Sequence, residues 1–252
     1  MLFRDWGSGE KLRVGNLNEI TVLIDRSETK LTEVAMNFWK KGLAGPPHSH
    51  ASKEQVFFVT EGSGIVKVGK ESHQVRPGAL LYIPAGTMHQ SIATDSSLTY
   101  LLFNAFLEPT KEGCANYREH IQKVKATREQ QAAAAANTTT LDTNGAEGAP
   151  AKKPRAVADA GRGDSATLLP RDEAEECEVA RVQMLEGEVR TAQHSDREQT
   201  LFVISGGGTM TAGHETMKIK TGTVIFAPVN SAQFLTASKG GLTYLSLSTF
   251  VT

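Results

Sequence analysis

Residues 48–64 read HSHASKEQVFFVTEGSG, and this stretch decides how the chain is to be read. His48 and His50 stand two apart, so in an extended strand their side chains point to the same side. Glu54 and Gln55 follow four or five positions later. Val56-Phe57-Phe58-Val59 is a short β-type run, closed by Gly62 and Gly64. The whole has the shape of a metal site built on a strand, a turn and a strand. A third histidine lies downstream in Gly78-Ala-Leu-Leu-Tyr-Ile-Pro84-Ala-Gly86-Thr-Met-His89.

Together the two stretches resemble the paired motifs of the cupin superfamily, G-x5-H-x-H-x3,4-E-x6-G and G-x5-P-x-G-x2-H-x3-N. Gly42, His48, His50, Gly62, Gly78, Pro84, Gly86 and His89 fill matching positions. In register with Gly62 the family's glutamate falls on Gln55, with Glu54 one residue early. The family's closing asparagine falls on Ala93. The resemblance covers both ends of the chain but not its middle. It implies an all-β fold and one divalent transition metal (Zn, Ni, Mn or Fe) held by His48, His50 and His89, with Gln55 or else Glu54 as the fourth ligand.

A chain of 252 residues has room for two domains. Its charges nearly cancel, at a formal −1, so neither nucleic acid nor an anionic membrane is expected as partner. No apolar run approaches the roughly 20 residues that span a bilayer. MLFRDWGSGEKL lacks the apolar centre of a signal peptide. Cys114 and Cys177 form no Cys-x-x-Cys pair and read as inert thiols; a reducing cytoplasm is the expected compartment.

Residues 1–110 alternate short β-type runs with polar turns, the pattern of a barrel or sandwich. Residues 111–164 break that rhythm. Asn116 to Gln131 is helix-compatible and runs into Ala132 to Ala136; few apolar residues of any size follow. The expectation is a frayed helix followed by a disordered linker. Gly161-Arg-Gly-Asp-Ser165 matches an integrin-binding string and reads as coincidence within that linker.

From residue 165 the strand rhythm returns, and an offset of 144 lays the second half on the first. It pairs Gln199 with Gln55, Gly206 with Gly62, Gly208 with Gly64, Gly222 with Gly78 and Pro228 with Pro84. Upstream, an offset one residue longer pairs Glu178-Val-Ala180 with Glu33-Val-Ala35. Recurrent turn glycines mean that the same bends are needed twice. The expected architecture is therefore two cupin-type β-sandwich barrels, 1–110 and 165–252, joined by a long, largely disordered linker. The second copy loses the site, since Ala192 replaces His48 and Gln233 replaces His89. It is expected to bind metal weakly or not at all.

Four neutral ligands would leave a bound ion its full dipositive charge, which favours Lewis-acid chemistry over oxygen activation. The expected function is isomerase or lyase-type chemistry on a sugar acid or similar keto or hydroxy acid, within carbohydrate metabolism. Three His plus Gln resembles the pectin-degradation family that linearises unsaturated uronates. That family uses an acid on the last strand, where this chain has Asn104. A dioxygenase and a non-catalytic small-molecule-binding or structural bicupin are the alternatives. Period-two alternation puts Phe57, Tyr100, Asn104 and Phe106 on the pocket side as substrate contacts. Asn104, Tyr82 and Arg76 are the candidate catalytic groups. Val56 and Phe58 are apolar as well, so both faces of their strand call for cover. A second cupin half would supply it, or another subunit in a homodimer.

Overall fold

The computed structural model describes residues 1–137 and 152–251, with the side chains of 128–137 left aside. The strands are Leu2–Asp5 (β1), Glu10–Val14 (β2), Asn18–Ile24 (β3), Thr32–Trp39 (β4), Lys53–Val68 (β5), Glu71–Val75 (β6), Leu80–Ile83 (β7) and His89–Phe106 (β8). A helix, Tyr117–Asn137 (α1), comes next. The second series is Arg155–Val157 (β9), Ala166–Leu169 (β10), Cys177–Met184 (β11), Val189–Ala192 (β12), Arg197–Ala212 (β13), Glu215–Lys220 (β14), Thr223–Ala227 (β15) and Gln233–Phe250 (β16). Among the described residues no helix is long and apolar enough to cross a membrane.

Two antiparallel sheets result. One runs β2-β3-β4-β8-β5-β7-β9 with β6 on β5; the other runs β1-β15-β13-β16-β11-β10 with β12 on β16 and β14 on β13. The duplicated glycines mark duplicated bends. The β5–β8 pairing slips between Gly62 and Gly64, and the β13–β16 pairing slips between Gly206 and Gly208. Gly62 has φ +76°, and a Cβ there would sit 1.7 Å from the Ser97 carbonyl oxygen. Only glycine fits such a bulge.

The halves exchange edge strands. β1, from the start of the chain, pairs with β15 of the second sheet, while β9 pairs with β7 of the first. Each barrel has its own interior, around Phe57, Val59, Leu81 and Tyr100 in the first and Leu201, Met210, Ile225 and Leu235 in the second. A third cluster lies between them. Val56, Phe58, Leu80, Tyr82 and Phe103 pack there with Phe202, Val224, Phe226 and Leu247. The second half of the same chain thus covers the back of the first.

Two buried carboxylates cross this interface in opposite directions. Glu54 accepts the backbone N–H groups of Glu175 (2.7 Å) and Glu176 (2.8 Å), together with the Tyr82 hydroxyl. Glu198 accepts the backbone N–H groups of Lys30 (2.6 Å) and Leu31 (2.9 Å) and the Thr32 hydroxyl (2.9 Å). The carboxylates are 144 residues apart in sequence and their N–H partners 145, the two offsets of the repeat. Each is a fixed anion that satisfies donors of the opposite half.

Of the frayed helix and disordered linker expected over 111–164, the helix is found and only the linker over 152–164 needs correcting. The helix forms, and Tyr117 and Ile121 at its start are buried against Leu12, Val14 and Ile20. Beyond it, β9 extends the first sheet and Ala160 is fully buried. Backbone pairing with an exposed edge needs no apolar run, so composition gave no warning. The Arg-Gly-Asp string is held in a turn whose Asp164 and Ala160 carbonyls accept from the Arg181 guanidinium. The residues of the expected linker between 138 and 151 lie outside those described.

Replacing Glu198 with Ala strands the buried Leu31 N–H and the part-buried Lys30 N–H, and leaves the Thr32 hydroxyl only its bond to Thr249. The expected loss is roughly 3 kcal/mol of unfolding free energy, at about 1–3 kcal/mol per unsatisfied buried group. Denaturant titration checks this, and a loss below about 0.5 kcal/mol would dismiss the latch.

Candidate metal centre

The site is assembled by backbone pairing before any side chain is considered. His48 and His89 form an isolated antiparallel bridge, with N–H to O distances of 3.0 and 2.8 Å in the two directions. Their rings are therefore neighbours, with centroids 4.3 Å apart. His50, two residues on, shares their side, and its carbonyl accepts the Gly86 N–H at 2.7 Å. One ring nitrogen from each of the three histidines lies within 4.8 Å of the others.

Each ring is oriented from behind. Nδ1 of His48 lies 3.0 Å from the Pro46 carbonyl, and Nδ1 of His89 lies 3.0 Å from that of Thr87. His50 Nδ1 lies 3.1 Å from a Glu112 carboxylate oxygen. Acceptors at every Nδ1 select the tautomer that presents Nε2 to a metal. Burial pushes the His89 pKa down to about 3, helped by the neighbouring His48. Burial, then the Lys53 ammonium, also lowers that of His50. Both rings are thus neutral near pH 7, the form that ligates.

Two buried atoms here have no hydrogen-bond partner, His89 Nε2 and Gln55 Oε1. Gln55 Nε2 donates to Asn104 Oδ1 at 2.9 Å, which leaves the amide oxygen as the orphan. Unsatisfied buried polar atoms are costly and call for a ligand. Neutral imidazole and amide donors fit a divalent transition ion. Glu54, the other residue weighed at this point, faces the opposite way into the interface between the halves.

The ligand candidates line a narrow cavity of about 90 Å³. Phe57, Tyr100 and Asn104 line it as expected. Phe57 stacks on Tyr100 at 4.4 Å, and the Tyr100 hydroxyl meets Asn37, Trp39 and Ser91. Three expected site residues lie elsewhere. Tyr82 faces the interface and bonds Glu54, because on β7 it alternates with the inward Leu81 and Ile83. Arg76 is exposed on the outer surface, 3.5 Å from Asp159. Phe106 lies beyond the cavity, its ring covered by Arg26 at 4.9 Å and Lys53 at 5.5 Å.

The sequence reading missed Glu112, Lys53 and His120. Glu112 sits in a turn where Lys111, Glu112 and Gly113 all have positive φ, 47°, 61° and 65°. Left-handed backbone at two consecutive non-glycine residues is unfavourable and occurs where function holds it. The turn brings the Glu112 carboxylate to His50 and, at 2.9 Å, to the buried Lys53 ammonium. Burial alone would raise the Glu112 pKa, but His50 and Lys53 hold it well below the usual carboxylate range. His120 enters from α1 with its Nδ1 3.6 Å from Glu112. Tyr117, His120, Ile121 and Val124 all line the cavity. Their spacing of i, i+3, i+4, i+7 is a helical stripe that was readable in the sequence.

The second half keeps the framework without the donors. Asn230, at φ 64°, holds the left-handed turn that Gly86 makes at 75°, and donates its N–H to the His194 carbonyl as Gly86 does to that of His50. Gln233 Nε2, however, donates to Gln199 Oε1 at 2.9 Å, and Gln199 Nε2 to Ser246 at 2.8 Å.

With this geometry in hand, residues 34–103 also match the family model of the Cupin domain. That segment, under a third of the chain, is similar to a cupin domain. A curated relative from Pestalotiopsis fici, "Oxidoreductase iacF", is 37% identical over 75 residues, which span 29% of this chain and 37% of that protein. The whole chain shares its fold with solved structures that it matches over nearly its full length. The Escherichia coli protein Ylba aligns with a TM-score of 0.71 at 11% identity, over 98% of this chain and 89% of its own. Bacillus subtilis oxalate decarboxylase, described for its Mn(II) centres, aligns with a TM-score of 0.67 at 17% identity, over 98% and 76%. At these identities the likeness is one of fold.

His89→Ala and His48→Ala are each expected to abolish stoichiometric metal content measured by elemental mass spectrometry. Glu112→Ala, which frees His50 to rotate, should weaken metal affinity roughly 10–100-fold, the usual cost of removing an outer-shell carboxylate. Undiminished metal in both histidine variants would place the ion elsewhere.

Proposed function

We propose that the chain is a metal-dependent cupin enzyme that carries out isomerase or lyase-type chemistry on a small polar acid. The observation that carries this reading is the cavity lining, which holds three imidazoles, the Gln55 amide, Lys53 and His120 but no carboxylate. A divalent ion held by His48, His50, His89 and Gln55 would supply a Lewis acid that polarises a carboxylate, carbonyl or hydroxyl oxygen.

The chain's own groups do the rest. Phe57 and Tyr100 form the apolar wall that keeps water from the polarised oxygen. His120, on the helix that closes the cavity, is the proton-exchanging group. Burial, then Lys53, lowers its pKa to about 2, so it starts neutral. A substrate carboxylate pairing with Lys53 would offset that lowering, and the Glu112 carboxylate beside Nδ1 would stabilise the imidazolium formed when Nε2 takes a proton from substrate. Lys53 is anchored by Glu112 and presents a positive edge to a substrate carboxylate. A cavity of about 90 Å³ is far below the roughly 300–1,000 Å³ of sites for drug-sized ligands, so the substrate is compact. A keto or hydroxy acid of a few carbons fits this better than an intact uronate. The acid that the uronate-linearising family would use is here Asn104, whose two ends are already bonded to Gln55 and Glu33.

A second reading, oxygen-dependent oxidation at the same ligands, draws on the relative named an oxidoreductase. Metal content comes first, then turnover of short hydroxy and keto acids and of uronates with and without oxygen. Equal anaerobic and aerobic turnover, with His120→Gln slowing it about 10²–10⁴-fold, is the expected result. Substrate-dependent oxygen uptake would transfer the assignment to a dioxygenase. Binding without turnover would make the barrel a sensor.

A further inference from the structure

Behind Gln55 lies a row of polar side chains sealed from solvent. Glu33, Asn104 and Gln55 are direct cross-strand neighbours on β4, β8 and β5. They are 0%, 1% and 4% exposed. Arg26, also at 0%, caps the row by donating to both Glu33 oxygens, at 2.5 and 3.1 Å. Asn104 Nδ2 donates to Glu33 Oε1 at 2.6 Å, and Asn104 Oδ1 accepts from Gln55 Nε2 at 2.9 Å.

The direction of this row is not free. Arg26 can only donate, so both Glu33 oxygens act as acceptors. A carboxylate flanked by a guanidinium requires a donor on its other side, and Asn104 must turn its NH₂ to it. The Asn104 oxygen then faces Gln55 and requires a donor, so the Gln55 NH₂ is used and its oxygen points to the cavity. We infer that the Arg26–Glu33–Asn104 chain selects the fourth ligand, fixing an amide oxygen towards the metal and excluding the glutamate of the cupin motif. A glutamate at position 55 would set carboxylate against the Asn104 carbonyl with no donor between them, one side chain from Glu33. Arg26, Glu33 and Asn104 are thus positioning residues, and this inference rests on the metal-centre reading above.

The second half provides an internal control. The corresponding row is Glu178, Ser248 and Gln199. Serine in place of asparagine cannot reach both neighbours. There Gln199 turns its NH₂ to Ser246, and its oxygen is taken by Gln233. The same glutamine without the directing asparagine does not present a free oxygen.

The test is titration of the metal-depleted full chain with Zn(II) and Mn(II), followed by calorimetry and by electron paramagnetic resonance of bound Mn(II). Asn104→Ser should weaken both ions about 10–100-fold in a folded variant and change the Mn(II) spectrum. Gln55→Glu should bind no tighter than the parent, although a carboxylate ligand by itself would attract the ion more strongly. Unchanged affinity in Asn104→Ser, or tighter binding in Gln55→Glu, overturns the inference while leaving the metal site standing. No binding by the parent chain would instead remove the site itself. Should either variant fail to fold, nuclear magnetic resonance on the parent chain decides. The Gln55 side-chain carbonyl resonance should shift on Zn(II) addition while its NH₂ protons exchange slowly, and an unshifted carbonyl would refute the assignment.

Discussion

Everything in the first half depends on β5 being buried on both faces. Adjacent residues on it serve opposite surfaces. Glu54 and Val56 face the second half of the chain, while Gln55 and Phe57 face the cavity. Side-chain period is two, so a slip of one residue would exchange these roles completely. Glu54 would then enter the metal cavity, and the N–H groups of Glu175 and Glu176 would lose their acceptor. The interface between the halves and the ligand set of the metal centre are therefore specified by one register.

That constraint explains what the sequence revealed. The two-residue spacing of His48 and His50 and the turn glycines are local signals, each tied to a specific backbone need, and they gave both the barrel and its histidines. The cavity-side position of Gln55 was readable because the glycine at 62 fixes its place in the repeat. Tyr82 was not readable because all four residues of β7 are buried, so alternation offered no contrast between its faces. Phe106 lies past the end of the cavity, where a strand-face argument does not say how deep the pocket runs. Glu112 depends on a left-handed turn that returns the chain to His50, 62 residues away in sequence, and no local pattern encodes such a return. The edge strands β1 and β9 were missed for a related reason, since they pair through backbone and carry little side-chain signature.

The second half shows how a barrel can keep its fold without the histidine cluster of the first. Its interior glutamines satisfy one another, so replacing His89 with Gln233 leaves no orphan oxygen on Gln199. Its opposite face keeps Glu198, whose bonds to Lys30 and Leu31 serve the first half. Ligand residues and interface residues occupy alternate positions of the same strands. One set can differ without disturbing the other, and the second half forms a wall of the first.

The charges around the cavity follow one arrangement. Two carboxylates approach it, Glu112 and Glu33, and neither reaches the metal position directly. Glu112 acts through the His50 ring and is matched by Lys53; Glu33 acts through Asn104 and is matched by Arg26. A buried pair such as Arg26–Glu33 gains little net stability after desolvation, so its retention points to orientation. Each anion raises the basicity or fixes the direction of a neutral ligand without adding a negative charge to the coordination sphere. An ion in that setting keeps its dipositive field for the substrate's oxygens. It would also lack the anionic donors that stabilise a higher oxidation state, and this asymmetry is the physical argument behind the proposed proton-transfer chemistry.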